Sequence, residues 1–219
     1  MTFKELSFKK KIEHIFEYYF LQILGGFALI CGVIIFINST FINPSKSCYN
    51  GVAFYGTFVG GETLASMEDS FTEKYVPDEL KKRNKVFCNS YFKDPSDPTV
   101  ELYNFEKFSA QFMTQEINLI ITTDEYLSDF ISEGYAKNLE LFFSEEEIKG
   151  YDEDSRLYYQ TINYNGEEIT KPFAITINDS SIIKDNNIYE GFEGNIYMLF
   201  ANNDKNYETT LKIAKEFLK

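Results

Sequence analysis

A long apolar run near the N-terminus is the strongest feature of the hydrophobic pattern. Residues 18–37 read YYFLQILGGFALICGVIIFI and contain no charged side chain, with Gln22 as the one amide. A helix of about 20 residues spans the ~30 Å hydrocarbon core of a bilayer. The pattern therefore predicts a transmembrane helix over residues 18–37, and the lipid bilayer is the first expected partner.

The flanking charges predict how this helix is oriented. Residues 1–17 form an amphipathic segment with four lysines, whereas residues 38–58 contain only Lys46. Positive residues remain preferentially in the cytoplasm. We therefore expect a cytoplasmic N-terminus and an extracytoplasmic C-terminal domain in a single-pass protein of the cell membrane.

Two kinds of cleaved signal also begin with an apolar run. A secretory signal has a shorter core and a small-residue cleavage site, and neither is evident here. A lipoprotein signal has a small residue before its cysteine, but bulky Ile30 precedes Cys31. The sequence therefore favours an uncleaved anchor.

Strand and helix patterns alternate after a polar linker over residues 38–50. Strand-like runs are predicted at 52–58, 86–92, 118–121, 156–163, 169–178 and 194–200. Helical spacing is predicted at 62–75, 100–116, 122–135, a short segment after Ser144, and 207–218. Alternation of this kind predicts an α/β fold: a compact, largely parallel α/β sandwich over residues 51–219.

Local signals refine three of these elements. Asn165-Gly166 is typical of a hairpin turn and predicts a β-hairpin insertion. Capping boxes are predicted at Thr122 with Glu125 and at Ser144 with Glu147. The helix over residues 100–116 has a predicted apolar face made of Leu102, Phe105, Phe108, Phe112 and Met113.

The charge balance changes the range of expected partners. The chain has 21 basic and 34 acidic residues, and residues 1–17 hold four of the lysines and three of the glutamates. The rest of the chain therefore has 17 basic and 31 acidic residues, a net charge of −14. Phosphate backbones and anionic lipid headgroups repel such a domain, so no nucleic-acid partner is expected.

Residue types that carry enzyme chemistry are scarce. The single histidine, His14, lies before the apolar run, so the outer domain cannot build a histidine triad. No P-loop, GxGxxG or GxSxG motif is present. The acidic cluster at residues 151–154 lacks the glycine and the distal glutamate of an EF-hand. We expect no enzyme activity, no catalytic residue, no metal site and no cofactor. The sequence alone does not decide whether Cys48 and Cys88 form a disulfide.

One edge of the predicted sheet is the candidate ligand site. In open parallel sheets, ligands bind at the carboxyl ends of the strands. Two such ends carry hydroxyl groups and free backbone amides: Tyr55, Gly56 and Thr57 at one, and Thr122, Thr123 and Asp124 at the other. Turn formation and helix capping explain the same residues without a ligand.

Two segments resemble those of the type 2 periplasmic, or extracellular, solute-binding proteins. Asn118 to Leu141 (NLIITTDEYLSDFISEGYAKNLEL) is similar to a strand–helix segment of that family. Tyr207 to Lys219 is similar to its closing helix. The resemblance implies capture of a small solute and its delivery to a membrane transporter.

The length of the chain departs from that family. Two full lobes of about 100–150 residues each would exceed residues 51–219, so the hairpin region stands for a reduced second lobe. We therefore expect a membrane-anchored accessory or interaction subunit, with a solute-binding-protein-like domain, beside a transporter or another membrane protein. The alternative is a small-solute binding or sensing module that delivers its ligand to an ABC-type transporter.

Overall fold

The computed structural model of the chain describes residues 7–39, 46–164, 167–203 and 205–219. Two compact units are present, residues 1–46 and residues 47–219. The first contains helix α1 (Phe8–Ile37). Its segment Glu17–Ile37 is long and apolar enough to cross a membrane, with a mean hydropathy of 2.6. Its length and composition are compatible with a membrane-spanning segment and also with a signal sequence.

Helix α1 extends beyond the predicted span at its N-terminal end. The same helix includes residues 8–17, which belong to the predicted amphipathic segment. Thirty residues at 1.5 Å each give a length of about 45 Å. The amphipathic and apolar stretches are therefore parts of one continuous helix.

The second unit is an α/β domain built on one six-stranded sheet. Its strands are β1 (Ser47–Tyr55), β2 (Asn84–Tyr91), β3 (Leu119–Thr123), β4 (Leu157–Tyr164), β5 (Glu167–Thr176) and β6 (Ile196–Phe200). Its helices are α2 (Gly61–Tyr75), α3 (Pro98–Met113), α4 (Asp124–Ser132), α5 (Glu145–Glu153), α6 (Ser181–Asp185) and α7 (Tyr207–Phe217), with a 3₁₀ turn at Leu139–Leu141.

The sheet is mixed, so the prediction of a largely parallel sheet is wrong. The strand order is β2-β1-β3-β6-β5-β4. Strand β1 pairs in parallel with β2 and β3, but β6 runs antiparallel to β3 and β5, and β4 runs antiparallel to β5. Helical crossovers connect the parallel strands β1, β2 and β3. The antiparallel strands are connected by the β4–β5 hairpin and by the segment with α6 that joins β5 to β6.

The hairpin extends this sheet and is not an insertion beside it. Strand β5 pairs with β6, which places β4 at the outer edge. The predicted turn residues Asn165 and Gly166 lie outside the described residues. The described hairpin strands thus form part of the single core sheet and no separate lobe.

Strand β1 begins within the predicted linker. Ser47 and Cys48 already pair with Asn84 and Lys85 of β2, so residues 47–50 belong to the domain. Cys88 pairs with Val52, four residues along β1 from Cys48. That offset is about 13 Å, well beyond the ~7 Å between the Cα atoms of a disulfide. Both cysteines are free thiols.

Alternating side chains divide the core into two layers. One face of the sheet packs against α2, α6 and α7. The buried side chains of this layer include Phe54 and Ile121 of the sheet and Phe217 of α7. The other face packs against α3 and α4, with Phe108 and Leu127 among its buried side chains. Helices on both faces, as predicted, leave the strand ends as the places where a site could open.

Candidate functional site

The fold brings the two predicted strand ends to the same edge of the sheet. Strands β1 and β3 are parallel neighbours, and their pairing ends at Phe54 and Ile121. Gly56 has a φ of +89°, and a Cβ there would lie 2.7 Å from the Tyr126 ring and 3.8 Å from the Thr123 hydroxyl oxygen. Because β2 and β3 flank β1 on opposite sides, this edge is the switch point where α/β folds bind ligands.

Tyr189 occupies this switch point on the face of the sheet that carries α7. Its hydroxyl oxygen lies 2.8 Å from the carbonyl oxygen of Tyr55 and 2.7 Å from that of Ile121. The side chain is 6% exposed, and burial raises the pKa of its phenol well above the usual value. A neutral phenol therefore bridges the two strand ends at the point where their ladder stops.

The backbone around Tyr189 is adapted to this insertion. Asn187, Tyr189 and Gly191 have φ values of 51°, 62° and 78°, all in the left-handed region. Such a conformation costs a non-glycine residue on the order of 1 kcal/mol. The buried ring and its hydroxyl contacts offset this strain, so the segment holds the phenol in place.

Aromatic side chains fill the opposite face of the same strand ends. The Tyr55 ring centroid lies 4.9 Å from that of Phe130, 5.0 Å from that of Tyr126 and 5.2 Å from that of Phe108. Burial raises the pKa of the Tyr55 hydroxyl to about 12. Tyr55 is therefore a neutral member of an aromatic cluster at physiological pH.

Lys93 closes the mouth of this aromatic cleft. Its ammonium lies 3.0 Å from Glu101, 3.3 Å from Glu125 and 5.1 Å from the centre of the Tyr126 ring. The hydrogen bond to Glu101 is the main cause of a raised Lys93 pKa. The remaining cavity is about 10 Å³, close to the minimum needed for one water molecule.

The other predicted site residues have structural surroundings. The Thr122 side chain is fully buried, and its hydroxyl has no partner among the described residues. The helix cap is Thr123, without a side-chain hydrogen bond, so the capping box predicted at Thr122 is wrong. Thr122 pairs with Tyr197 inside the sheet, and strand pairing therefore overrides the local capping signal. Thr57 is half-buried, with its hydroxyl 3.5 Å from its neighbour's carbonyl.

Asp124 fixes the segment that leads into β6. One carboxylate oxygen accepts a 2.9 Å hydrogen bond from the backbone amide of Asn195. A Cβ added to Gly194 would lie 2.8 Å from the other oxygen. Asp124 thus holds the end of the segment that carries Tyr189.

Sequence reasoning missed the groove between α5 and the β4–β5 hairpin. This groove is open to solvent, encloses about 500 Å³, and is lined by Glu140, Phe143, Glu145, Ile148, Lys149, Asp152, Tyr159 and Lys171. Lys171 pairs with Glu140 at 2.7 Å, which lowers the Glu140 pKa. The acidic cluster at residues 151–154 was the one feature of the sequence analysis that lies near this groove.

No group of three or more metal-binding side chains occurs in the part of the chain that the structure describes. Comparisons of the chain with family models, with characterised proteins and with solved structures give no match. Function is therefore inferred from the residues and their geometry.

Proposed function

We propose that this protein is a membrane-anchored accessory subunit whose extracytoplasmic domain acts through its surface, beside a transporter or another membrane protein. The apolar segment Glu17–Ile37 is the anchor, and the four lysines before it favour a cytoplasmic N-terminus. The acidic domain then lies on the opposite side of the membrane.

The occupied switch point carries this proposal. Ligand sites for small molecules enclose about 300–1,000 Å³ and bury most of the ligand. At the strand ends, Tyr189 fills one face and the Tyr55 cluster leaves about 10 Å³ on the other. A domain whose predicted crevice holds its own side chains is better suited to surface contacts than to solute capture.

A thermal-shift screen of residues 46–219 tests the absence of solute capture. Amino acids, sugars and short peptides should cause no saturable change in the melting temperature. Solutes that are excluded from the protein surface raise it only in proportion to their concentration. A true ligand at 100 times its Kd adds about 2.7 kcal/mol to stability, and its effect saturates. A saturating, concentration-dependent rise would overturn the proposal.

The anchor is tested separately on the full chain. An uncleaved anchor keeps the intact mass at 25.5 kDa and leaves the protein in the membrane pellet after alkaline extraction. A cleaved signal would give a smaller, soluble product. Protease added to the outside of intact cells should digest the domain but leave the N-terminal segment protected if the proposed orientation is correct.

The groove beside α5 supports a second candidate, the small-solute module. Its volume of about 500 Å³ is within the range of ligand sites, and Phe143 and Ile148 give it an apolar floor. A ligand found in the screen would be assigned to this groove if Ile148→Glu abolished the shift while Leu80→Glu, at an exposed position elsewhere, preserved it.

A further inference from the structure

Helix α3 exposes an unusual number of large apolar side chains. The exposed fractions are 59% for Leu102, 65% for Tyr103, 46% for Phe105 and 80% for Met113. Leu102 and Met113 are eleven residues apart and therefore lie on the same stripe of the helix, three turns from each other. Glu106 is the charged residue between them on this outward face.

The core does not account for these side chains. Helix α3 packs on the sheet through its two buried residues, Asn104 and Phe108. The Asn104 amide donates a 2.8 Å hydrogen bond to the carbonyl of Phe92, which fixes the rotation of the helix. The outward apolar stripe is therefore distinct from the face through which α3 packs on the sheet.

Helix α4 provides a direct comparison, because it packs on the same face of the sheet. Its exposed positions are all polar: Asp124, Glu125, Ser128, Asp129 and Ser132. A helix that only borders water has this pattern. The contrast indicates that the outward face of α3, defined here by Leu102, Tyr103, Phe105, Glu106 and Met113, has a non-aqueous neighbour.

Chain geometry limits what this neighbour can be. Nine residues, 38–46, separate the end of α1 from β1, and they reach at most about 30 Å. A domain of roughly 170 residues has a radius of gyration of ~16 Å. If the apolar helix is anchored as proposed above, this contour length keeps the domain close to the bilayer.

The C-terminal end of α3 lies at the edge of the domain where the chain enters. The Cys48 thiol at the start of β1 contacts the carbonyl of Glu116 at 3.3 Å. Glu116 follows the last turn of α3, and its amide donates to the carbonyl of Gln111. The most exposed apolar residue, Met113, is thus close along the chain to the tethered edge.

We propose that the outward face of α3 lies on the surface of the bilayer and contacts zwitterionic lipid. This proposal rests on the membrane anchorage proposed above and names the surface through which the domain meets the membrane. Phenylalanine, tyrosine and leucine side chains partition favourably into the interfacial region. Anionic headgroups would repel a domain with a net charge of −14, so the lipid partner is uncharged overall.

The absence of tryptophan from the chain allows a selective test. Leu102→Trp reports on the proposed face, and Leu141→Trp is a matched control with a native exposure of 62%. Leu141 lies next to Tyr207 of α7, whose hydroxyl donates to its carbonyl, on the other face of the sheet. The full-length variants are reconstituted into phosphatidylcholine vesicles that contain a doxyl-labelled lipid quencher.

The tryptophan at residue 102 should be quenched at least twofold more strongly than the one at residue 141. Met113→Trp should behave like Leu102→Trp, which protects the test if one variant folds poorly. Replacing part of the phosphatidylcholine by phosphatidylglycerol should weaken the quenching at low salt, because the acidic domain is repelled.

Equal quenching at residues 102 and 141 would overturn the proposal. A tryptophan at residue 102 that is shielded from aqueous iodide but not quenched by lipid would also overturn it, since a second copy or another protein would then cover the face. Vesicle flotation separates the two hypotheses. A chain that does not float with the vesicles contradicts the anchor itself, whereas a floating chain with an unquenched residue 102 contradicts only the bilayer contact.

Discussion

The Tyr189 hydroxyl permits a quantitative test of the occupied switch point. Tyr189→Phe preserves the buried ring but removes the one proton that is shared between the carbonyls of Tyr55 and Ile121. No cavity forms, because only the hydroxyl is lost. The change therefore isolates the polar contact that bridges β1 and β3.

The magnitude follows from the cost of leaving a buried acceptor without a donor, about 1–3 kcal/mol. Carbonyl oxygens tolerate the loss of a partner better than amides, so we expect about 1–2 kcal/mol for Tyr189→Phe. For a domain of this size, each kcal/mol lowers the melting temperature by about 2–4 °C. The expected decrease is therefore about 2–8 °C.

Thermal unfolding of residues 46–219, followed by near-ultraviolet circular dichroism of the tyrosines, measures this decrease. Tyr103→Phe is the matched control, because Tyr103 is 65% exposed and its hydroxyl should contribute less than about 0.5 kcal/mol. A Tyr189→Phe melting temperature equal to that of the control would refute the bridging role.

A larger truncation tests whether the site beneath Tyr189 can accept a ligand. Tyr189→Gly removes the phenol at a backbone position whose φ of 62° suits glycine. The resulting cavity should destabilise the domain by about 3–5 kcal/mol, less the strain that is relieved. Millimolar p-cresol should then raise the melting temperature of this variant and leave the wild-type value unchanged. No rise in the variant would show that the phenol site collapses when it is empty.

Three further predictions concern other parts of the domain. Gly51→Ala would place a Cβ 1.7 Å from a backbone carbonyl oxygen and should prevent stable folding, measured as loss of soluble, protease-resistant protein. Cys48 and Cys88 should both remain free under air oxidation, and because burial raises the Cys48 pKa to about 12, iodoacetamide should alkylate it slowly at pH 8. Glu216 accepts a hydrogen bond from Lys74, which is the main reason that its pKa falls from 4.5 to about 2. Its stabilising effect should be present above about pH 5 and lost as the pH falls towards 2, and Glu216→Gln should show a smaller loss over that interval in acid-denaturation curves.

Local sequence signals predicted most elements of the fold, although helix α6 lies in a segment whose polar residues predicted no helix. The capping box at Ser144 is confirmed, with the Ser144 side chain and Glu147 bonding each other's backbone amides. The helix predicted over residues 62–75 is α2, and the one over 207–218 is α7, each within one residue of its observed bounds. Each of these signals depends on residues only a few positions apart, so the sequence was sufficient to predict these elements.

Strand direction and helix rotation required information from distant residues. The short apolar run of β6 does not reveal whether it pairs parallel or antiparallel to β3. Helix α3 has apolar side chains on a wide arc, and Asn104 takes a buried position through its bond to Phe92 while Leu102 and Met113 face outward. The predicted apolar face of this helix was therefore only partly correct.

The candidate site shows the same limit. The predicted strand-end groups contain Tyr55 and Thr123, the last residues of β1 and β3, because the β-α-β pattern alone places these ends at one edge. Tyr189 was not found, since its hydroxyl meets a carbonyl 134 residues away and no local motif marks it. The tertiary contact, and not the local composition, shows that the crevice is filled.

The tether changes how strong the contact between α3 and lipid needs to be. A tether this short gives an effective concentration in the millimolar range, so a weak surface contact becomes an intramolecular equilibrium. Partial burial of Leu102, Phe105 and Met113 at about 1 kcal/mol each would favour the docked state roughly a hundredfold. The polar, largely acidic exposed positions of α4 offer no such gain. The charge on the other surfaces and the apolar side chains on α3 therefore both favour an orientation in which α3 faces the bilayer. An isolated α3 peptide lacks the tether and the acidic domain, so it should not show the same lipid contact.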